Sequence, residues 1–339
     1  MTTRPDMTRK VTMRDVAQAV DLSPMTVSRA LRDDQTVNAK TRAMIHKAAA
    51  ELGYVYDSTA QAFRTQKSGF VAVTLPSINN ANFAETFRGL TAGLEGQAIQ
   101  LLLGSTNYQI EKEHDLVLQL LARNPQAIVL TGGTHLPQTR DLLTAARVPV
   151  IEIWDLPPDP LGHVVGFSNA DAMAPLVRHL AARGRHRLAF VGATEGSDMR
   201  GGARRDGVIA AARILGLPEV TLIDAGPAPV SMKQGAQVAT ELGTGITRYD
   251  AVICVSDPVA FGVLNECRRI GLLVPEDIAV TGFGNFDVAT VSFPQITTVG
   301  VHANQIGGHV AQVLQDIFNG TTDPQVIDVG SEFRIGETS

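Results

Sequence analysis

From residue 68 onward, short apolar runs alternate with amphipathic stretches, and no other feature of the chain restricts its possible folds as much. The runs are 69–75, 98–103, 126–131, 149–153, 187–191, 220–223, 251–255 and 278–282, dominated by Val, Ile, Leu and Ala. Near-continuous runs of this kind predict parallel strands buried on both faces, with helices covering each side. Helical patterns do fall between them, at 83–97, 110–123, 170–183, 204–215, 232–242, 257–270 and 301–318. The expectation is doubly wound α/β structure with right-handed crossovers. The strands are too many for one sheet. Two similar halves meet near 163–169, and 293–300 reads as a return crossing.

The length of 339 residues predicts about two domains and a smaller unit. With 44% hydrophobic residues at a net charge of -5, disorder is disfavoured. Two cysteines, Cys254 and Cys267, rule out a disulfide scaffold and read as packing residues in a reducing compartment. No apolar run approaches the ~20 residues of a membrane helix, and the first dozen residues carry no export-type apolar stretch. A cytoplasmic protein without membrane contact is expected. Charge is divided unevenly: residues 1–67 hold eleven Lys or Arg against seven Asp or Glu, and the remainder eighteen against twenty-seven. A basic head precedes an acidic body, a pattern that suits contact with nucleic acid.

Within the head, Thr12 caps a short helix with Met13, Val16, Ala17 and Val20 on one face, and Asp21-Leu22 breaks the pattern. Ser23-Pro24 starts a second helix running to about Leu31, since proline is preset for the first helical position. Two short helices around a tight break describe a helix-turn-helix, with Met25, Thr26, Ser28 and Arg29 facing outward. Asn38 caps a third helix to Leu52, stopped by Gly53, with Ala43, Ile45, Ala48, Ala49 and Leu52 closing a small core.

The string VTMRDVAQAVDLSPMTVSRAL, continued by VNAKTRAMIHKAAAELGYVYDSTAQAF, resembles the head of the lactose/galactose-repressor family of bacterial regulators over about sixty residues. The resemblance implies a second helix in the major groove and a hinge that enters the minor groove when two subunits meet on an operator. It makes Met25 and Arg29 base readers and places Thr26, Ser28, Asn38 and Tyr54 at phosphates, with Thr12 and Ser23 at the helix starts counted among the DNA contacts. An arginine can fork to guanine, whereas hydroxyls and amides hold phosphates without carrying sequence information. In the hinge, Ala60 matches the family, and Phe63 stands where the family has a leucine wedge; it either pries apart a base step or covers an edge of the body. Asp21 replaces the usual turn glycine and tolerates left-handed backbone better than most residues.

The resemblance continues through LPSINNANFAETFRGL, VGFSNADA, ARGRHRLAFVG, SDPVAFGVL and GLLVPEDIAVTGF. The expected fold is an all-α helix-turn-helix head joined to two doubly wound parallel-sheet lobes of the periplasmic-sugar-binding-protein (type I) kind. Its divisions are a head at 1–56, a hinge at 57–67 and a body at 68–339, with lobe one about 68–167 and 298–325 and lobe two about 168–297. Ligands of such folds bind at strand C-termini. Within the family the strings are most similar to gluconate-utilisation repressors, which implies a sugar-acid effector such as gluconate and no cofactor. The loops at strand ends then offer Ser77, Asn79, Asn82 and Phe83; Thr134 and His135; Glu152 and Trp154; Arg204; Ser256 and Asp257; and Asn285. A polyhydroxy acid needs a cation, acceptors for hydroxyls and an apolar face, which Arg204, Asp257 and Phe83 or Trp154 supply. Several have second readings: Asp257 as a helix cap, His135 as a structural loop residue, Glu152 as a hydrogen-bonding group between lobes. Where many relatives place a sugar-binding Asp, this chain has Gly284.

An enzyme is the rival reading. GFGNFD at 282–287 imitates a dinucleotide loop, but too little chain follows it, and no P-loop, nucleophile elbow or H-E-x-x-H occurs. The eight histidines show no metal spacing. An exported transport protein of the same core is the other rival, opposed by the DNA-reading head. The expectation is a homodimer, or a pair of dimers, binding double-stranded operator DNA as a repressor under effector control. A sugar acid acting as inducer is favoured, with a neutral sugar, a purine or a corepressor as the alternatives.

Overall fold

The computed structural model describes residues 11–32, 34–55, 68–193 and 198–339, and divides the chain into two compact units, Met1–Gln66 and Lys67–Ser339. The hinge residues Ala60 and Phe63 lie outside the described residues.

In the first unit, α1 (Met13–Ala19) starts at Thr12, whose N–H and hydroxyl both donate to the Asp15 carboxylate at 2.8 and 2.7 Å. The chain reverses through Asp21 at φ 53, the left-handed geometry that a small polar residue accepts, and enters α2 (Pro24–Ala30). Ser23 Oγ accepts the Thr26 N–H at 3.1 Å. In α3 (Ala39–Leu52), Asn38 Oδ1 accepts the Thr41 N–H at 2.8 Å and Gly53 closes the helix at φ 69. Val16, Ala17, Val27, Ala30, Val37, Ile45 and Ala49 form the core. Ala43 and Leu52 are exposed instead of buried, because the buried stripe of α3 is narrow and Val37, from the bend before α3, fills part of the core.

The second unit contains two six-stranded sheets. The first, ordered β11-β5-β4-β3-β1-β2, comprises β1 (Phe70–Leu75), β2 (Gln100–Ser105), β3 (Ile128–Thr131), β4 (Val150–Ile153), β5 (His163–Gly166) and β11 (Val326–Asp328), all in parallel pairs. The second, ordered β12-β10-β9-β8-β6-β7, comprises β6 (Leu188–Gly192), β7 (Thr221–Asp224), β8 (Ala251–Cys254), β9 (Ala279–Gly284), β10 (Thr297–Val301) and β12 (Ser331–Arg334). Only the β10–β12 pair is antiparallel among these. Strands β1, β3, β4, β8 and β9 are buried almost throughout, as their unbroken apolar runs require.

The intervening helices include α4 (Ala81–Gly93), α5 (Ile110–Leu121), α6 (Pro137–Ala146), α7 (Ala174–Ala182), α8 (Met199–Ile214), α9 (Met232–Leu242), α10 (Asp257–Arg269), α11 (Asp287–Val291) and α12 (Ala303–Phe318). Helix α6 and strand β5 are additions to the sequence reading. The return passage also differs. Residues 298–301 were expected in lobe one, yet β10 pairs in register with β9, Thr297 opposite Thr281, so the chain re-enters lobe one only with α12. A third crossing follows β11, and β12 returns to the second sheet, beyond the expected limit of 325. Nothing in the composition of residues 293–301 says which of the two sheets they join.

Glycines set how closely paired helices approach. A Cβ on Gly307 of α12 would lie 2.0 Å from the Thr86 carbonyl oxygen of α4, and one on Gly89 2.2 Å from that of Asn304. The same device recurs in lobe two, where a Cβ on Gly262 of α10 would meet the Met232 carbonyl of α9 at 2.0 Å.

Candidate functional site

In the first unit, α2 begins with a serine cap and an N1 proline, which orients its outer face. Met25 is 64% exposed and Arg29 is exposed, while Val27 and Ala30 turn inward. Thr26 and Ser28 are partly exposed on the same helix. Thr12 and Ser23 spend their hydroxyls on helix starts, Ser23 Oγ lying 2.9 Å from Thr26 Oγ1. Asn38 is exposed, and Tyr54 follows α3 with its N–H on the Ala49 carbonyl at 2.8 Å. The exposed outer face of the second helix is the surface a helix-turn-helix presents to a major groove.

In the second unit, a cavity of about 370 Å³ opens where strands of both sheets end. Ser77, Asn79, Asn82, Phe83, Trp154, Arg204 and Ser256 line it, as expected for a site at strand C-termini. The aromatic wall is continuous: Phe83 meets Trp154 edge-on at 5.1 Å between centroids, Trp154 meets Phe167 at 5.9 Å, and Phe167 stacks on Phe283 at 6.2 Å. Trp154 is fixed by its Nε1–H donating to Thr86 Oγ1 at 3.1 Å and by Asn169 Nδ2 donating to its carbonyl at 2.9 Å. Both Trp154 (φ 71) and Tyr108 (φ 60) hold left-handed backbone at the cavity wall, strain of the kind that accumulates at binding sites.

Arg204 was expected to open a helix. Instead α8 starts five residues earlier, capped by Asp198, whose Oδ1 accepts the Gly201 N–H at 3.0 Å. Arg204 therefore sits on the second turn, its guanidinium 4.4 Å over the Phe283 ring and 3.8 Å from Asp198 Oδ2. Its Nε is buried without a hydrogen-bond partner among the described residues, and burial pushes its pKa down, with Asp198 opposing. One turn earlier Arg200 faces the same cavity, only 8% exposed. The sequence reading missed it, together with Tyr108, Asn169, Asp198, Phe283 and Phe286. The i, i+4 spacing of Arg200 and Arg204 was the available signal, hidden by placing the helix start too late.

Four expected site residues lie elsewhere. His135 and Glu152 are buried away from the cavity: His135 Nδ1 is 2.6 Å from Glu113 Oε1, and its Nε2 is 3.2 Å from Glu152 Oε1. Glu152 also accepts the Leu161 N–H at 2.7 Å, so both are structural ties in lobe one. Burial works against the His135 charge, but the two glutamates prevail and raise its pKa to about 9. Asp257 is fully buried at the start of α10, accepting the Thr298 hydroxyl at 2.5 Å and the Phe286 N–H at 2.8 Å. Burial lifts its carboxyl to about 6 against those donors. Asn285, at φ 51, shapes the loop after β9, its N–H directed at Thr298 Oγ1 at 3.4 Å. Thr134 faces a recess of about 50 Å³ beside the cavity. No group of three or more His, Cys, Asp or Glu among the described residues could hold a metal ion, and no described helix is long and apolar enough to cross a membrane.

Known proteins resemble this chain along its whole length. The signature of bacterial regulatory proteins of the lacI family matches residues 12–57, and that of a periplasmic binding protein-like domain matches residues 177–339. The HTH-type transcriptional regulator GntR of Pseudomonas aeruginosa is 32% identical over 333 residues, 98% of this chain and 96% of the relative. GntR of Escherichia coli strain K12 is 30% identical over 331 residues, 95% and 96% of the two chains. The crystal structure of a LacI family transcriptional regulator from Silicibacter pomeroyi has 39% identity and a TM-score of 0.75, covering 80% of this chain and 98% of its own. These relatives are named as regulators and not as enzymes. The helix-turn-helix face, the two-lobe body and this likeness together place the chain in the LacI family of DNA-binding transcriptional regulators.

Proposed function

We propose that the protein is a cytoplasmic repressor, working as a homodimer, whose operator affinity is lowered when a sugar acid of the gluconate class occupies the cavity. The observation that carries this reading is the cavity's charge: two guanidiniums, Arg200 and Arg204, face one carboxylate, Asp198, which already caps α8. A buried cation without a matched anion is costly, so the site is built for a ligand that brings a single negative charge. Phe83, Trp154 and Phe283 offer an apolar face for sugar C–H groups, while Ser77, Asn79, Asn82 and Ser256 offer hydrogen bonds to hydroxyls. The likeness of the sequence to gluconate-utilisation repressors supports the same ligand class.

In the head, Met25 and Arg29 read bases, and Thr26, Ser28, Asn38 and Tyr54 hold phosphates. Segment 57–67, with Ala60 and Phe63, forms the hinge. Two subunits then present paired recognition helices to a near-palindromic operator. An effector shifts operator binding only as far as it prefers one arrangement of the lobes. Calorimetry with gluconate and with its neutral polyol counterpart, glucitol, tests the ligand class, alongside operator release followed by gel shift. Heat and release are expected with the acid; binding of only neutral sugars or purines contradicts it, and tighter operator binding with acid reverses the sign.

A further inference from the structure

The two cavity arginines differ in what they touch. Arg204 makes its close contacts in lobe two, resting on Phe283 and beside Asp198. Arg200 stands on the same helix but reaches across: its Nη1 donates to the Thr131 carbonyl at the end of β3 at 3.2 Å, and its guanidinium lies 5.7 Å from the centroid of the Phe83 ring. Thr131 and Phe83 are both in lobe one. The passage is kept open by Gly132, at φ 101, where a Cβ would sit 2.9 Å from Nη1. Among the described residues no carboxylate lies within ion-pairing distance of Arg200, although it is 8% exposed. Its charge is held by a carbonyl dipole and a ring face, partners far weaker than an ion in a site shielded from water.

We propose that Arg200 determines the acid specificity of the cavity and links acid binding to lobe closure, an inference that rests on the sugar-acid reading above. An acid group received by both guanidiniums is tied through Arg204 to lobe two and through Arg200 to the Thr131 carbonyl and Phe83 ring of lobe one. A neutral polyol fills the same space without answering the Arg200 charge, so it gains little from the closed arrangement. Receipt on the lobe-one side is rigid, because Thr131 is held in β3 beside β4 and the loop after it, from Gly132, leads directly into His135, clamped between Glu113 and Glu152.

The test uses the full chain, with gluconate and glucitol as probes, in wild type, Arg200→Gln and Arg200→Lys, each first checked by circular dichroism melting. The chain's only tryptophan, Trp154, lines the cavity, so its emission reports closure directly. Loss of at least about tenfold in gluconate affinity in Arg200→Gln, with glucitol affinity shifted less than threefold, supports the proposal. Arg200→Lys keeps the charge but not the planar fork, and is expected to bind the acid within about tenfold of wild type while the gluconate-induced Trp154 change and operator release weaken. Equal losses for acid and polyol in Arg200→Gln mark a merely structural role and overturn the proposal. Gluconate binding and operator release unchanged in Arg200→Gln overturn it as well, leaving the sugar-acid reading intact. If wild type binds no acid at all, both readings fall together.

Discussion

At the residue scale, the body is held together in part by charges placed where water cannot reach them. His135 is the plainest case, because its charge is kept inside lobe one by two glutamates. The folded protein holds this proton more tightly than the unfolded chain, so the stabilisation is complete below about pH 6.5 and is lost as pH rises through about 9. The stability advantage of wild type over His135→Gln, from denaturant melts at pH 6 to 10, should shrink by roughly 3 kcal/mol over that range. A constant difference would place the histidine's contribution in packing alone. In the head, Arg29→Ala should cost roughly 1–3 kcal/mol on the operator and relax base preference, read by footprinting at low and high salt. An equal loss on random DNA would assign Arg29 to phosphate instead. Residues of this exposed face are legible in sequence because capping residues fix the helix phase. His135 and Asp257 follow their second readings, as a structural loop residue and a residue at a helix start, and Glu152 ties lobe one internally, because position at a strand end shows which residues are near a site without showing which way they turn.

At the scale of elements, the close helix pairs carry the sharpest expectation. Gly307→Ala drives a Cβ into the Thr86 carbonyl and should destabilise by roughly 1–3 kcal/mol, whereas Gly308→Ala, with nothing within 4 Å of its Cβ, should be neutral or slightly stabilising. Thermal melts of the two neighbours decide it. Since Thr86 Oγ1 accepts from Trp154, the first substitution should also shift the tryptophan emission, which the second should leave alone. The strands were readable because burial on both faces leaves uninterrupted apolar runs. Helix boundaries were less so: α8 begins with the unpatterned stretch Met-Arg-Gly-Gly, whose two glycines hide a helical start that only the Asp198 cap reveals. Strand β5 was lost for a related reason, four residues with a histidine at the front being too short for periodicity to declare.

At the scale of the whole molecule, ligand binding and stability are one equilibrium. If the cavity takes gluconate, the acid at one hundred times its Kd should raise the unfolding free energy of the body by about 2.7 kcal/mol, visible as a rise in Tm of several degrees. Arg204→Ala should abolish most of that shift, and differential scanning calorimetry with and without acid measures it. Two α/β lobes were legible in outline from the alternation of runs and helices, but the place where the chain changes lobes was not, because composition does not say which sheet a short strand such as β10 joins.

The three passages between the sheets have an evolutionary consequence. Each half of the body is stitched from separate stretches of chain, so no single recombination event can transplant one half into a relative without cutting the other apart. The reading head, by contrast, is one continuous segment. Head and body can therefore be exchanged whole by shuffling a gene fragment, whereas the two lobes of one body must change together, by substitution in place.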